Sequence, residues 1–473
     1  MASCDGVLVV TPQPCLPQPS DITARDAALL CLLVALVYGA SLGASFQFDD
    51  WNVIVDNPGV HSWSAWWARM PGIRPLLKAT YVACWSLQAG PAGFRVFNIA
   101  LHAVNALLVL AVVARVLVAA GTPFGRARAA AWFAAAVFAL HPAQTESVTY
   151  IAGRSGALMS LFLLLALLAH LQRECGSHPR RWTAAALACF VCAFGAKENA
   201  WTLPFTVLAL ELSRPCHRPG RAWRLAAPYF LVLLAMLLGA LAIPGYRTLL
   251  QFSLETRTAL ENLITQVDGQ FHLLTRPLLL LDTNLDPDLP ARTRWTAELW
   301  LPAAVLLGLM TLAVWQWRRR PWLGLGIAWY FVQLAATNSV LPRLDVANDR
   351  QLYLALSGPA WILGMLLSGL TRRRLALALA VGIVALLASA TMLRNRDYAT
   401  EVSLWQATAE ASPRKPRVWN NLGYAREIAG DRAGAREAYL RALALDPDYV
   451  KARINLSRLD GTAAEDPASS PLR

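Results

Sequence analysis

The most constraining feature of this sequence is a series of apolar windows that contain no charged residue. A helix needs about 20 mostly apolar residues to cross a bilayer, with about 17–25 as the working range. Eleven windows are candidates for such helices: 27–48, 96–114, 129–145, 155–172, 182–196, 199–210, 225–246, 299–317, 321–342, 351–371 and 375–393. Of these, 199–210 is short and contains Pro204, which predicts a kinked or thin crossing. The windows predict an all-α, polytopic membrane helix bundle.

The overall composition supports this fold class. Hydrophobic residues make up 56% of the 473-residue chain and charged residues 15%. In soluble chains about 45–50% of the residues are hydrophobic and about 25% are charged. This balance argues against disorder and against a set of soluble domains. We expect no cleavable signal, because residues 1–25 are rich in proline and the first apolar window is long enough to span.

The positions of the arginines predict the orientation of the bundle. The formal net charge of +13 would also suit a nucleic-acid-binding protein. The arginines concentrate, however, in five alternate connections with almost no acid: Arg115, Arg126 and Arg128; Arg173, Arg180 and Arg181; Arg214, Arg218, Arg221 and Arg224; Arg318, Arg319 and Arg320; Arg372, Arg373 and Arg374. Because positive loops stay cytoplasmic, we place these connections and the N-terminal segment 1–25 inside and the C-terminus outside. The charge then indicates topology and not nucleic-acid binding.

The opposite connections have mixed charge. Three of them are long, namely 49–95, 141–154 and 244–298, and Asp49 and Asp50 directly follow the first span. Charges beside membrane segments tend to mark function. For any single charged residue here, a solvated loop start explains the pattern equally well. The adjacent pair is a stronger candidate, since like carboxylates raise one pKa unless cations offset them, which is useful for a general base.

Three polar side chains lie within the second predicted span. Asn98, His102 and Asn105 are spaced i, i+4 and i+7, so they share one face of the helix. Polar residues in membrane helices commonly form hydrogen bonds between helices. We predict that role for this stripe in preference to catalysis.

The composition changes sharply near Arg394, which separates a transmembrane domain at 26–394 from a polar, helical segment at 395–460. The segment matches the tetratricopeptide (TPR) pattern W-x2-LG…A-x3-F…P at Trp419, Leu422, Gly423, Ala435, Tyr439, Ala442 and Pro447. The pattern predicts one complete repeat with half a repeat on each side. Stable solenoids need at least about three repeats. We therefore expect this TPR domain to dock on the outer face of the membrane domain or on a partner, and we predict a disordered tail at 461–473.

Several motifs occur along the chain in a fixed order: Phe48-Asp49-Asp50, RPLLKATYVACWSL with GPAGFRVFNIALH, HPAQTESVTYIAGRSG, AKEN and TNSVLPRLDVANDRQLYL. Together with the C-terminal TPR, they resemble the transmembrane-and-TPR-containing protein O-mannosyltransferases, which are related to the protein O-mannosyltransferases of the GT-C glycosyltransferase fold. The likeness covers roughly residues 46–460. That family usually has many more repeats than this chain, a difference that bears on substrate range and partner recognition.

The resemblance implies an inverting glycosyltransferase. A sugar, expected to be mannose, would pass from a polyprenyl-phosphate-linked donor to a hydroxyl acceptor, expected to be protein Ser or Thr, on the outer face. The general base would be Asp49 or Asp50, with Asp49 favoured. The candidate ligands of the donor phosphate are Arg74, Lys78, Arg154, Lys197 and Arg350. The candidates for orienting substrate are His141, which could instead cap a helix end, and Glu146, Asp345 and Asp349. No cofactor is expected, and a divalent ion is an alternative that we do not favour.

Two other functions are open at this point. One is a non-catalytic, TPR-bearing membrane scaffold for envelope assembly, and the other is the same enzyme class acting on lipid or glycan acceptors. A transporter is disfavoured because the ionisable residues cluster at span ends on one side. The expected partners are the lipid-linked donor, a protein or peptide acceptor that the TPR could bind, and the bilayer. The short TPR and the absence of a eukaryotic retention tail predict a bacterial cytoplasmic membrane protein with its TPR and active site on the periplasmic side.

Overall fold

The computed structural model describes residues 22–174, 177–215, 218–276, 280 and 285–461. Its helices are α1 Ala24–Tyr38, α2 Trp63–Ala68, α3 Pro75–Ser86, α4 Gly90–Ala119, α5 Phe124–Leu140, α6 Thr145–Val148, α7 Arg154–Gln172, α8 Pro179–Ala196, α9 Leu203–Ser213, α10 Pro219–Ala242, α11 Pro244–Thr256, α12 Ala259–Thr275, α13 Trp300–Gln316, α14 Pro321–Ala335, α15 Ser357–Leu367, α16 Arg373–Asp397, α17 Glu401–Ala411, α18 Pro416–Ile428, α19 Arg432–Leu445 and α20 Val450–Leu459. No strand occurs among the described residues. The tail at 462–473 and most of the segment 1–25 lie outside them.

Each of the eleven predicted windows contains a helix, and the all-α membrane bundle is confirmed. Six helical segments in the described part of the chain are long and apolar enough to cross a membrane: Ala24–Gly43, Gly90–Ala119, Ile151–Gln172, Pro219–Ala242, Ala297–Gln316 and Arg373–Asp397. The other five are α5, α8, α9, α14 and α15, which contain 11 to 18 residues. Of these five, α14 and α15 are much shorter than their predicted windows, at 15 and 11 residues, whereas α5 and α9 match theirs to within one residue and α8 is longer. Helices α9 and α15 begin late because 3-10 turns at Glu198–Thr202 and Asp349–Leu352 occupy the preceding residues.

The predicted sorting of loops into two groups agrees with the packing. At one end of the bundle, Arg128 pairs with Asp26 at 2.7 Å, and Arg126 donates to the carbonyl of Met365 at 2.9 Å. Arg214 pairs with Glu174 at this same end, so the connections after α7 and α9 meet. The mixed-charge connections collect at the opposite end, where the TPR domain packs. Which end faces the cytoplasm stays a prediction from the charge pattern.

The polar stripe of α4 forms hydrogen bonds within the bundle, as predicted. His102 is within 2.8 Å of the Tyr353 hydroxyl and 3.0 Å of the Ala139 carbonyl oxygen. Asn105 donates to that same hydroxyl at 3.0 Å, and Asn98 donates to the Val148 carbonyl at 3.1 Å. These buried groups connect α4 to three neighbouring segments, which satisfies polar atoms that would be costly to leave unpaired away from water.

The TPR domain docks on the membrane domain, which is the first of the two predicted alternatives. Helices α17 and α18 share a buried apolar cluster with Tyr150 and Leu285 of the membrane domain. The Trp405 ring of α17 meets Phe48 edge-to-face, with ring centroids 5.0 Å apart. Four ion pairs border this cluster, linking Arg414 to Asp288, Lys415 to Asp286, and Arg417 to both Asp286 and Asp345. The incomplete solenoid thus obtains the missing part of its core from the membrane domain.

Candidate active site

The two adjacent aspartates after α1 have different environments. Asp50 is fully buried, and its carboxylate accepts hydrogen bonds from the backbone N–H of Gln47 at 3.0 Å and of Ala152 at 2.7 Å. Asp49 is partly exposed, and its backbone N–H donates to the Tyr150 hydroxyl at 3.0 Å. Asp50 therefore fixes the local backbone, whereas the Asp49 side chain lies beside the Tyr150 hydroxyl and lines a cavity.

Arg95, near the start of α4, holds the segment that leads to this pair. It is fully buried and donates to the carbonyls of Ala44, Ser45 and Thr149, the last at 3.1 Å. A guanidinium has five donors in a rigid fork, so it can bind several carbonyls at once. Arg95 was not among the predicted site residues. The sequence feature that could have identified it is its position as a single arginine in the first turns of an otherwise apolar span, where cations are rare.

Asp49 opens into a cavity of about 200 Å³ between the membrane domain and the TPR domain. The residues that line it are Phe48, Asp49, Tyr150, Leu285, Asp286, Leu344, Asp345, Arg350, Trp405 and Arg417. The predicted site residues Asp49, Asp345 and Arg350 thus share one cavity. Its remaining charged lining, Asp286 and Arg417, was not predicted, because nothing in the sequence pairs these two segments.

Arg350 connects the cavity to the buried Glu146. Its backbone N–H donates to Glu146 Oε2 at 2.9 Å, its Nε is 3.3 Å from Glu146 Oε1, and its Nη2 is 3.3 Å from Asp345 Oδ2. Burial raises the pKa of Glu146 to about 7 although Arg350 favours the ionised form. The pKa of Asp345 is about 2, because Arg417 and Arg350 outweigh the effect of burial. The three predicted residues Glu146, Asp345 and Arg350 therefore form one network.

A second group of charges surrounds the junction of α8 and α9. Arg74 forms a bidentate ion pair with Glu198, and its backbone N–H donates to the Tyr246 hydroxyl at 3.2 Å. Burial raises the pKa of Glu198, but Arg74 dominates and holds it at about 2. The carboxylate of Glu198 is therefore ionised and neutralises only one of the neighbouring cations.

Lys197 is the most confined cation of this group. Its side chain is 6% exposed and has no hydrogen-bond or ion-pair partner among the described residues. Burial lowers its pKa well below the usual value, and Arg343, Arg74 and Arg350 lower it further. Burial and the neighbouring cations Arg69 and Arg74 also lower the pKa of Lys78. This end of the bundle thus concentrates positive charge that the protein itself leaves incompletely neutralised, as an anion-binding site requires.

Three predicted site residues are placed differently. Arg154 is fully buried, donates to Asn98 Oδ1 at 2.6 Å and to the Phe94 carbonyl at 2.9 Å, and lies over the rings of Tyr81, Phe94 and Phe97. His141 Nδ1 accepts from the N–H of Ala143 at 3.2 Å and caps the following 3-10 turn. Asp349 is buried, and burial and Glu146 raise its pKa. Arg154 is therefore not part of the cation group. His141 caps a helical turn, which was the second of the two roles predicted for it.

Within the described residues, no group of three or more His, Cys, Asp or Glu side chains is arranged to hold a metal ion. Independence from a metal stays a prediction.

Comparison with known proteins agrees with this architecture. Residues 416–449 match the family model for the tetratricopeptide repeat. The protein O-mannosyl-transferase F38B6.6 of Caenorhabditis elegans is 25% identical over 90% of this chain and 63% of its own length. The chain is similar to the TMTC protein O-mannosyl-transferases. TMTC3 of Mus musculus is 24% identical over 93% of this chain and 53% of its own length. TMTC1 of Mus musculus is 30% identical over 43% of this chain and 24% of its own length.

The resemblance inferred from the motifs is thereby confirmed, and the chain is a multi-pass membrane protein with a C-terminal TPR. It spans between about half and two thirds of the length of the relatives that it matches most extensively, TMTC3 at 53% and F38B6.6 at 63%. No solved structure gives a significant match.

Proposed function

We propose that this chain is a membrane glycosyltransferase that moves a sugar, mannose, from a polyprenyl-phosphate-linked donor to a Ser or Thr hydroxyl of a protein on the outer face. The observation that carries the proposal is the position of Asp49. It lies in a cavity whose lining includes Arg350, and Arg350 acts electrostatically on the confined Lys197. A base and an anion-binding group are therefore neighbours. The names of the similar proteins favour a mannosyl donor and a protein acceptor.

The chemistry is a single displacement at the anomeric carbon of the sugar. The Asp49 carboxylate takes the proton of the acceptor hydroxyl, since that hydroxyl is a weak nucleophile near neutral pH. The acceptor oxygen forms a new bond to the anomeric carbon while the bond from that carbon to the phosphate oxygen breaks. The electron pair leaves with the polyprenyl phosphate, and the configuration of the anomeric carbon inverts.

The cations would stabilise the charge that develops on the leaving phosphate. We assign this role to Lys197, Arg350 and Arg74, with Lys78 and Arg343 beside them. Arg154 is omitted because it is fully buried over the rings of Tyr81, Phe94 and Phe97, away from the cation group. The charge asymmetry of the loops supports placing the TPR and the cavity on the outer side of the membrane, and a bacterial cytoplasmic membrane, with that side facing the periplasm, is the location that we propose.

The proposal is tested with the purified full chain, radiolabelled polyprenyl-phosphate mannose and a Ser/Thr-containing protein acceptor. We expect label to appear on the acceptor through an alkali-labile O-linkage, with the configuration at the anomeric carbon inverted relative to the donor. Release of free mannose alone would retain the donor and the enzyme class but exclude the acceptor assignment. No consumption of mannosyl or other polyprenyl-phosphate sugars by folded protein would overturn the proposal in favour of a scaffold.

Replacement of Lys197 by Met should separate stability from binding. In the absence of ligand the protein buries this cation among other cations, so removing the charge should raise the unfolding temperature, by about 1 °C for each kcal/mol gained in a chain of this size. Loss of a charge-assisted hydrogen bond of about 1.5–3 kcal/mol should weaken binding of polyprenyl phosphate by about tenfold to a hundredfold. Thermal unfolding and equilibrium binding in detergent measure the two effects.

Lys197→Arg is the matched control, since it keeps the charge. It should leave the unfolding temperature near or below that of the wild type and retain most of the polyprenyl-phosphate affinity. A Lys197→Met protein that is less stable and binds the lipid phosphate normally would show that this lysine has a structural role.

A further inference from the structure

The TPR domain supplies part of the lining of the Asp49 cavity. Trp405 of α17 and Arg417 of α18 both line it. Trp405 is 1% exposed and its ring packs edge-to-face on Phe48, the residue before Asp49. The position of the proposed base therefore depends directly on a side chain of the TPR domain.

Arg417 joins two loops of the membrane domain. Its Nη2 lies 2.6 Å from Asp286 Oδ2 and 2.6 Å from Asp345 Oδ1, and its side chain is 28% exposed. The other oxygen of Asp345, Oδ2, is 3.3 Å from Nη2 of Arg350. One carboxylate is thus shared between a TPR arginine and a cation of the proposed donor site. Any shift of Arg417 changes the orientation of Asp345 and, through it, that of Arg350.

The charges on the TPR side of the cavity differ from those around Lys197. Asp49, Asp286 and Asp345 supply three carboxylates against the two guanidinium groups of Arg350 and Arg417, and both of these are already ion-paired. This side is therefore unsuited to a phosphate. Its aromatic and apolar lining, from Phe48, Trp405 and neighbours, suits an uncharged segment of polypeptide. At about 200 Å³ the cavity is smaller than the 300–1,000 Å³ of a typical small-molecule pocket.

We propose that the TPR domain forms the acceptor subsite: Arg417 receives the extended segment that carries the reacting hydroxyl, and Trp405, packed on Phe48, supports the wall of the cavity behind it. This inference rests on the proposed function. Arg417 also holds Asp345, the carboxylate that it shares with Arg350. The cavity has room for the hydroxyl-bearing residue and its nearest neighbours, so the acceptor is an unfolded or exposed strand-like segment and not a folded domain.

The test compares Arg417→Gln with Arg414→Gln in the full chain. Arg414 offers a matched control, because it also pairs with the membrane domain, through Asp288 at 2.9 Å, but is 80% exposed and does not line the cavity. Sugar transfer is measured against both acceptor peptide and donor concentration, beside thermal unfolding of each protein. We expect Arg417→Gln to lower kcat/KM for the peptide at least about tenfold, with a smaller change in the KM for the donor. Arg414→Gln should remain within about twofold of the wild type.

Arg417→Lys extends the test if the glutamine variant folds poorly. Lysine keeps the charge but lacks the fork that holds two carboxylates, so it should give an intermediate loss for the peptide. Equal losses in the Arg414 and Arg417 variants, or a loss confined to the donor, would overturn the acceptor subsite while the transferase function stands. Absence of transfer by the wild type itself would overturn both.

Discussion

Replacing Asp49 by Asn is expected to lower the rate of sugar transfer by about 10²–10⁴-fold, which is the usual contribution of a positioned general base. Asparagine has almost the same shape but cannot take the proton of the acceptor hydroxyl. The Asp49 side chain has no backbone hydrogen bonds to lose, and its own backbone N–H still reaches Tyr150. The unfolding temperature and the affinity for the donor should therefore stay close to those of the wild type. Initial rates at saturating donor and acceptor give the effect.

Asp50→Asn is the matched control for this prediction. Its carboxylate accepts two backbone hydrogen bonds, from Gln47 and Ala152, and an amide has only one acceptor oxygen. One buried N–H would then face an NH₂ group, so this variant should lose about 1–3 kcal/mol of stability. Asp49→Asn should therefore lower the rate of transfer, whereas Asp50→Asn should lower the stability of the fold. A stable Asp50→Asn protein without activity, beside an active Asp49→Asn protein, would assign the base to Asp50.

The second large effect concerns the pair of Arg350 and Glu146. Arg350→Gln should cost about 1–2 kcal/mol at pH 8, because the buried Glu146 carboxyl loses its cation and must take up a proton in the native state. Glu146 is 1% exposed, which denies that carboxylate any help from solvent. Asp345 keeps Arg417 as a partner, so the loss should originate mainly from Glu146. Chemical unfolding monitored by tryptophan fluorescence measures it.

The cost should depend on pH. Burial raises the pKa of Glu146 from its ordinary value of 4.5 to about 7. Between those values the native state holds a proton that the unfolded state releases, so Glu146 lowers stability progressively as the pH rises through this window. At pH 5.5 the carboxyl is mostly neutral in the native protein, and Arg350→Gln should cost much less than at pH 8. The double variant Arg350→Gln with Glu146→Gln should recover most of the stability at pH 8. A cost that is the same at both pH values, or that the double variant fails to relieve, would contradict this account.

The sequence predicted the class of the fold because apolar windows and alternate basic loops are local signals. It was less successful with helix length, since an uncharged window does not show where an α-helix gives way to a 3-10 turn. The turns before α9 and α15 contain Glu198 and Asp349, and both place charged residues at the end of the bundle where the TPR docks. Window length alone therefore overstated the α-helical part of these spans.

The sequence identified most of the charged residues of the candidate site, but it gave only part of their arrangement in space. Asp49 and Asp50 are neighbours in sequence, and only the backbone N–H groups of Gln47 and Ala152 reveal that Asp50 is held by the protein. Arg154 looked like its fellow cations in the loops, but its location at the start of α7 buries it against aromatic rings. The partnership of Arg417 with Asp286 and Asp345 joins distant segments, and one sequence contains no signal for such pairs.

The docking of the TPR has a consequence for the order of events during biosynthesis. Gln47 donates to the carbonyl of Tyr398, 351 residues further along the chain. Because translation proceeds from the N-terminus and early segments fold first, Asp49 is synthesised long before Trp405 and Arg417, whose domain holds its loop in position. A nascent chain therefore contains the proposed base but lacks one wall of the cavity. On the proposed function, the site is completed only when the TPR helices pack against the loop that was synthesised first.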